Sequence, residues 1–416
     1  MTFIKGCWRY WLQAAFLLVT TCLPLQAATA GAGAEPERKW VDAWAVSYLP
    51  TTINGTPQTV PTFHDQTLRL NMFLKLGGTA LRVKLTSRFS THLLVIGSAH
   101  VALRRAAGTT GGPDIVAETD QALTFAGAKA LKLEAGKEIW SDPVELAVEQ
   151  HQDIAVSLFL PETTTPEAFH PVGLKTNYMT VGDHCGDATF QPGSAGSRTT
   201  MYFFVSGVQV LAPANTKVIV TLGDSITDSA AAANDINAAW PDVLSNRLPA
   251  LKKSAPVSVI NMGIGSNRLA SSDAAGPAGL NRLEDDVLSR PNVSHLILLE
   301  GINDISYEQI PAEKLIAAYE QVIARAHAQG IKVIGATLLP IQNSRKDTPA
   351  NEVTRQAVNK WIRESHQFDA ILDFEKVVQD PENPLRIRKD LTGDYVHPNT
   401  EGYRLMGESI PLNIFE

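Results

Sequence analysis

From residue 217 onward the chain alternates short, nearly uninterrupted apolar runs with longer amphipathic segments, and few folds accept that pattern. VIVTL (218–222), VSVIN (257–261), HLILLE (295–300), KVIGATLL (332–339) and AILDF (370–374) are too short for buried helices. Strands without a polar face are covered on both sides. Helical patterns separate them. INAAWPDVLSNRL (236–248) is one, and AEKLIAAYEQVIARAHAQ (312–329), stopping at Gly330 as a C-cap, is another. NEVTRQAVNKWIRESH (351–366) is a third. Buried strands alternating with helices predict an α/β fold around a parallel sheet.

The preceding half has a different period. LRLNMFLKL (68–76) and ALRVKLTS (80–87) alternate apolar with polar residues, and Gly77-Gly78 between them reads as a hairpin turn. IAVSLFLP (154–161) and MYFFVSGVQVL (201–211) continue the pattern, with turn clusters TTGGPD (109–114) and QPGSAGS (191–197) between runs. The expectation is an N-terminal antiparallel β-sandwich over 38–212, then an α/β domain over 213–416.

The first thirty residues stand apart. Lys5 and Arg9 precede the apolar run WLQAAFLLVTTCLPLQA, and Ala28-Thr29-Ala30 follows. That order predicts a signal peptide (1–30), then a Gly/Ala/Pro linker (31–37), hence export to the periplasm or the medium. Of three cysteines, Cys7 and Cys22 fall in the leader, so Cys185 alone remains and an internal disulfide is excluded. A net charge of −7 gives nucleic acid no purchase, and no later segment predicts stable membrane insertion. Sequence says nothing about oligomeric state.

In an open parallel sheet, functional groups gather beyond the carboxyl ends of the strands. Four segments fall there: GDSIT (223–227), NMGIGSN (261–267), GINDI (301–305) and GDYVHPN (393–399). They supply the parts of an acyl-transfer site. Ser225 is a candidate nucleophile, His397 its base, and Asp394, three residues earlier, the group that orients the imidazole. Candidate oxyanion donors are the Ser225 N–H at a helix start, an N–H in 263–267 and the Asn303 amide. No G-x-S-x-G surrounds any serine, which excludes the nucleophile elbow. No cofactor is implied.

These blocks resemble the SGNH (GDSL) hydrolases: GDSIT, the glycine-bearing loop, G-x-N-D at 301–304 and D-x-x-H-P at 394–398. The resemblance implies a three-layer, flavodoxin-like α/β/α hydrolase domain. It places a catalytic triad on Ser225, Asp394 and His397, with oxyanion donors from Ser225, the loop and Asn303. The family loop usually carries glycine where this chain has Ser266. Serine keeps the N–H but is strained if φ is positive, and Gly265 is then the substitute donor. Asp224 is expected to bond nearby loop backbone, and together with Gly265 and His184 it is a candidate for lining the substrate site. WVDAW (40–44), DQTLR (65–69), GGTALRVKL (77–85), SDPV (141–144), AVSLFLP (155–161) and GDH (182–184) are similar to a subgroup with an N-terminal β-domain. That subgroup is one of secreted arylesterases or acylhydrolases, some linked to xylan breakdown. TSRFS (86–90) departs from its usual S-N-x-F-G.

The resemblance therefore implies a secreted serine esterase acting on O-acyl esters, with short acyl groups on a plant polysaccharide as the first candidate. A lipolytic or aryl-ester hydrolase is one alternative, and an inactive carbohydrate-binding protein another. Asp183-His184-Cys185 lacks the spacing of a metal site. Trp40, Trp44 and Trp240 read as packing rather than a sugar platform, and Arg104-Arg105 and Lys252-Lys253 as solvated faces.

Overall fold

The computed structural model describes residues 37–53, 56–105, 112–193, 197–251, 255–272 and 276–416. The leader, most of the linker and Lys252-Lys253 lie outside them.

The N-terminal part is built around two larger antiparallel sheets. Strands β1 (Arg38–Ala45), β2 (Gln66–Phe73), β3 (Leu81–Thr86), β4 (Ser98–Leu103), β5 (Glu138–Trp140), β6 (Asp153–Leu160), β7 (Asn177–Val181) and β8 (Val205–Pro213) carry it. One sheet runs β1-β8-β3-β5, and the other has β7-β2-β6-β4 at its centre. In β3 the alternation is clean: Leu81, Val83 and Leu85 are buried, while Arg82 and Lys84 are partly exposed. β2 and β3 lie in different sheets, so Gly77-Gly78 is not a hairpin turn. Alternation reveals which face of a strand is buried but not its partner. Gly78 serves close approach instead: a Cβ there would lie 2.6 Å from that of Val210.

The C-terminal part is a five-stranded parallel sheet. Its strands are β9 (Lys217–Gly223), β10 (Val257–Gly263), β11 (Val293–Leu299), β12 (Lys332–Ala336) and β13 (Ala370–Leu372), in the order β10-β9-β11-β12-β13. This is the flavodoxin-like order. Around it pack α1 (Trp240–Arg247), α2 (Gly279–Leu283), α3 (Ile302–Glu308), α4 (Ala312–His327), α5 (Pro349–Glu364), α6 (Phe374–Val378) and α7 (Thr400–Ser409). α1 is shorter than its sequence pattern because Pro241 sets its first turn. α5 begins where the Thr348 side chain accepts from Asn351 N–H, and Gly330, at φ 73°, ends the turn after α4.

The two parts share one continuous apolar core. Trp44 and Trp240 are buried in it, whereas Trp40 is partly buried beneath the Arg82 guanidinium. Buried polar pairs cross between the parts. Lys75 meets Asp242 at 2.5 Å, Arg290 meets Asp42 at 2.9 Å, and Ser47 Oγ donates to Asp286 at 2.6 Å. The His170 ring faces only acceptors: Ser47 O on Nδ1, with Val172 O and the Asp228 carboxylate on Nε2. Both nitrogens therefore carry protons. Burial alone would lower the His170 pKa, but Asp228 outweighs it and the net shift is upward. Arg104 is not on a solvated face, since its nearly buried guanidinium pairs with Asp153 at 2.9 Å. Among the described residues no helix is long and apolar enough to cross a membrane.

Candidate active site

The ends of β9, β10 and β11, with the turn before α7, bring the expected groups together. β9 stops at Gly223, where nothing larger fits: a Cβ would lie 2.1 Å from Thr227 Oγ1 and 2.2 Å from Leu299 O. The chain then makes an α-turn, with Asp228 N–H donating to Asp224 O at 2.9 Å. No regular helix follows, contrary to the expectation of a helix start at Ser225. Ser229, Ala231 and Asp235 all adopt positive φ, and the first helix begins at Trp240. The turn leaves Ser225 partly exposed.

Ser225 Oγ lies 2.9 Å from His397 Nε2. His397 Nδ1 lies 2.8 Å from Asp394 Oδ2, and Asp394 Oδ1 accepts from Val396 and His397 N–H at 2.9 and 2.8 Å. One carboxylate thus orients the ring and closes the turn that carries it. Partial burial alone would raise the Asp394 pKa, but these N–H groups and the imidazole hold it below the usual value. Thr392 Oγ1 closes the turn further by donating to His397 O at 2.8 Å.

Ser266 has φ 61°, the left-handed conformation in which serine is strained and glycine is not. Among the described residues neither the Ser225 nor the Ser266 N–H donates to a protein acceptor. Gly265 N–H, the substitute donor, instead favours the charged form of Asp228. Asp304 fixes the far side of the loop by accepting from Leu269 and Ala270 N–H, both at 2.8 Å.

Asn303 is buried. Its amide nitrogen donates to Asn267 O at 2.9 Å and Asp224 Oδ2 at 3.2 Å, and its oxygen accepts from Lys346 Nζ at 2.7 Å. Asp224 does not line a substrate surface. It is 1% exposed, and its other oxygen accepts from Ile226 N–H at 2.9 Å. The backbone bond expected of it is present, and burial pushes its pKa up to about 7. The polar contacts of His184 lie in the β-rich part: its ring meets Asp187 at 2.7 Å, and its N–H donates to Thr67 Oγ1. Neither reaches the loop of Ser225. Cys185 is buried and unpaired, its thiol pushed up to about 12 by burial. No group of three or more His, Cys, Asp or Glu among the described residues could hold a metal ion.

Two contributors carry no sequence signal. Arg282, 2% exposed, reaches from α2 to Gly223 O (2.9 Å), Met262 O (2.6 Å) and Asn267 Oδ1 (2.9 Å), tying two strand ends to the loop. Lys346, 4% exposed, holds Asn303, and burial lowers its pKa to about 8. Behind them the Glu300 carboxyl is fully buried, 3.6 Å from Arg282 and with no hydrogen-bond partner among the described residues, and burial pushes it up to about 8.

A parallel sheet in this flavodoxin-like order, with a Ser–His–Asp chain of hydrogen bonds at its carboxyl edge, defines a class of α/β proteins distinct from those built around the nucleophile elbow. Residues 221–405 match the model of the GDSL-like lipase/acylhydrolase family, and this domain belongs to that family of carboxylic ester hydrolases. Solved structures similar to the chain include a GDSL-like lipase from Bacteroides thetaiotaomicron, at 19% identity over 48% of this chain and 88% of that one, TM-score 0.36. A carbohydrate acetylesterase family member from Sinorhizobium meliloti shows 16% identity over 46% and 94%, TM-score 0.38. A catalytic mutant of an acetylxylan esterase from Geobacillus stearothermophilus shows 19% identity over 46% and 91%, TM-score 0.35. No curated protein matches the chain.

Proposed function

We propose that this chain is an exported serine esterase whose nucleophile, general base and orienting acid are Ser225, His397 and Asp394. The observation that carries the reading is the chain of hydrogen bonds from Ser225 Oγ through His397 to Asp394, 2.9 and 2.8 Å. His397 Nε2 takes the hydroxyl proton as Oγ attacks the ester carbonyl. The negative charge that develops on the carbonyl oxygen is met by the Ser225 and Ser266 N–H groups and the Asn303 amide. Asn303 joins by exchanging its longer bond, 3.2 Å to Asp224, for the new oxyanion. His397 then protonates the leaving alcohol, and water repeats the sequence to release the acid. No cofactor takes part.

The substrate class is an O-acyl ester, and a short acyl group on a plant polysaccharide such as xylan is the first candidate. Support comes from the β-region motifs and the export-type leader. The full chain should release p-nitrophenol from p-nitrophenyl acetate, and Ser225→Ala should not. Acetate release from acetylated xylan above turnover of a long-chain p-nitrophenyl ester would favour the polysaccharide. The opposite ranking would favour a lipolytic role.

A further inference from the structure

We propose that Lys346 is a positioning residue for the oxyanion site, holding Asn303 in the one amide orientation that turns its hydrogens toward Ser225. This rests on the esterase reading above.

An asparagine amide is nearly symmetric in shape, so either end can face a given neighbour unless hydrogen bonding decides. At Asn303 it does. Asp224 and Asn267 present acceptors on one side, and an ammonium, which only donates, stands on the other. A flipped amide would set its NH₂ against Lys346 and its oxygen against a carboxylate and a carbonyl, losing all three bonds. The NH₂ end is consequently directed between Asp224, one residue before Ser225, and Asn267, one residue after Ser266. Ser225 and Ser266 carry the N–H groups that have no protein acceptor among the described residues. The amide orientation is thus set by a lysine from another loop, that between β12 and α5.

The ammonium is itself held firmly. Nζ also donates to Ser306 Oγ at 2.8 Å and lies 4.3 Å from the centre of the Tyr307 ring. Its backbone is fixed by Asn351, whose side chain donates to Lys346 O at 2.9 Å. Burying a lysine costs stability unless its donors are used, and here one of them is used on a residue of the candidate site.

A double-mutant cycle tests the idea on the full chain, with kcat and KM on p-nitrophenyl acetate and Tm as readouts. Lys346→Met keeps the length and removes the donor. It should lower kcat by about 10 to 10²-fold, leave KM nearly unchanged and not lower Tm. Lys346→Arg, which can still donate to the amide oxygen, should recover part of the loss. In an Asn303→Ala background Lys346→Met should cost almost nothing more, because the group it positions is gone. Full additivity of the two substitutions, or a wild-type kcat for Lys346→Met, would overturn the proposal. A Tm drop common to Met and Arg, with kcat following it, would show a structural role only and overturn it too. Retained activity in Ser225→Ala would instead strike the esterase reading itself, a separately visible result.

Discussion

His397 Nε2 stands 2.9 Å from Ser225 Oγ although the two residues are 172 positions apart, at the first strand end and the last turn of the α/β part. The pairing depends on the whole sheet being formed, so it measures the fold as much as the chemistry.

Ser225→Ala removes the only atom able to carry the acyl group in the proposed mechanism. Turnover of p-nitrophenyl acetate should fall by at least roughly 10³-fold with unchanged Tm. Activity near wild type in that variant would eliminate the serine mechanism.

Asp394→Asn should be nearly as damaging, by roughly 10⁴-fold in kcat, because an amide nitrogen facing His397 Nδ1 favours the wrong tautomer. The turn would survive if the amide oxygen kept the Val396 and His397 N–H bonds. Circular dichroism and Tm should therefore stay level while kcat collapses. A matching loss of Tm would mean that Asp394 acts mainly by closing the turn.

The two proposed oxyanion donors should respond in opposite ways. Asn303→Ala should lower kcat by roughly 10²–10³-fold with little change in KM. Ser266→Gly keeps the N–H and relieves the strain of φ 61°, so Tm should hold or rise and kcat should stay near wild type. If Ser266→Gly lost as much as Asn303→Ala, the serine hydroxyl would be the working donor.

Glu300 gives a pH signature of stability. Its carboxyl is raised to about 8 in the folded state, so between the ordinary glutamate range and that value the folded chain holds a proton that the unfolded chain has released. Stability from this group is therefore present at low pH and is lost as pH rises through that window. Glu300→Gln cannot ionise, and its Tm should fall less than that of wild type between pH 5 and 8.5. Parallel Tm–pH curves would show that the carboxyl is already charged in the native state.

Much of this site is legible in the amino-acid sequence, since its four blocks each sit at a strand end and carry side chains with chemistry of their own. Ser225, Asn303, Asp394 and His397 stand out for that reason, and so does the conditional strain at Ser266. Lys346 and Arg282 do not. Their partners are an amide oxygen and backbone carbonyls from distant segments, and an ordinary loop lysine or helix arginine looks the same in sequence. Asp224 is legible as a loop anchor, but its burial is not, and its partner Asn303 comes from a segment 79 positions away. The hairpin expected at Gly77-Gly78 fails because β2 and β3 separate into different sheets, which strand periodicity does not encode.

The polar pairs that join the β-rich and α/β parts limit how this protein can be recombined. The short link after Pro213 looks like the natural seam for a chimaera. A cut there would strip Asp228 of His170, Asp242 of Lys75 and Asp286 of Ser47. Asp286 keeps its Arg282 partner at 2.7 Å, but leaving Asp228 and Asp242 as unpaired, largely buried charges costs on the order of 3–5 kcal/mol apiece. The C-terminal part is therefore not a portable module, and a transplanted partner must bring its own lysine, histidine and serine to the same three places.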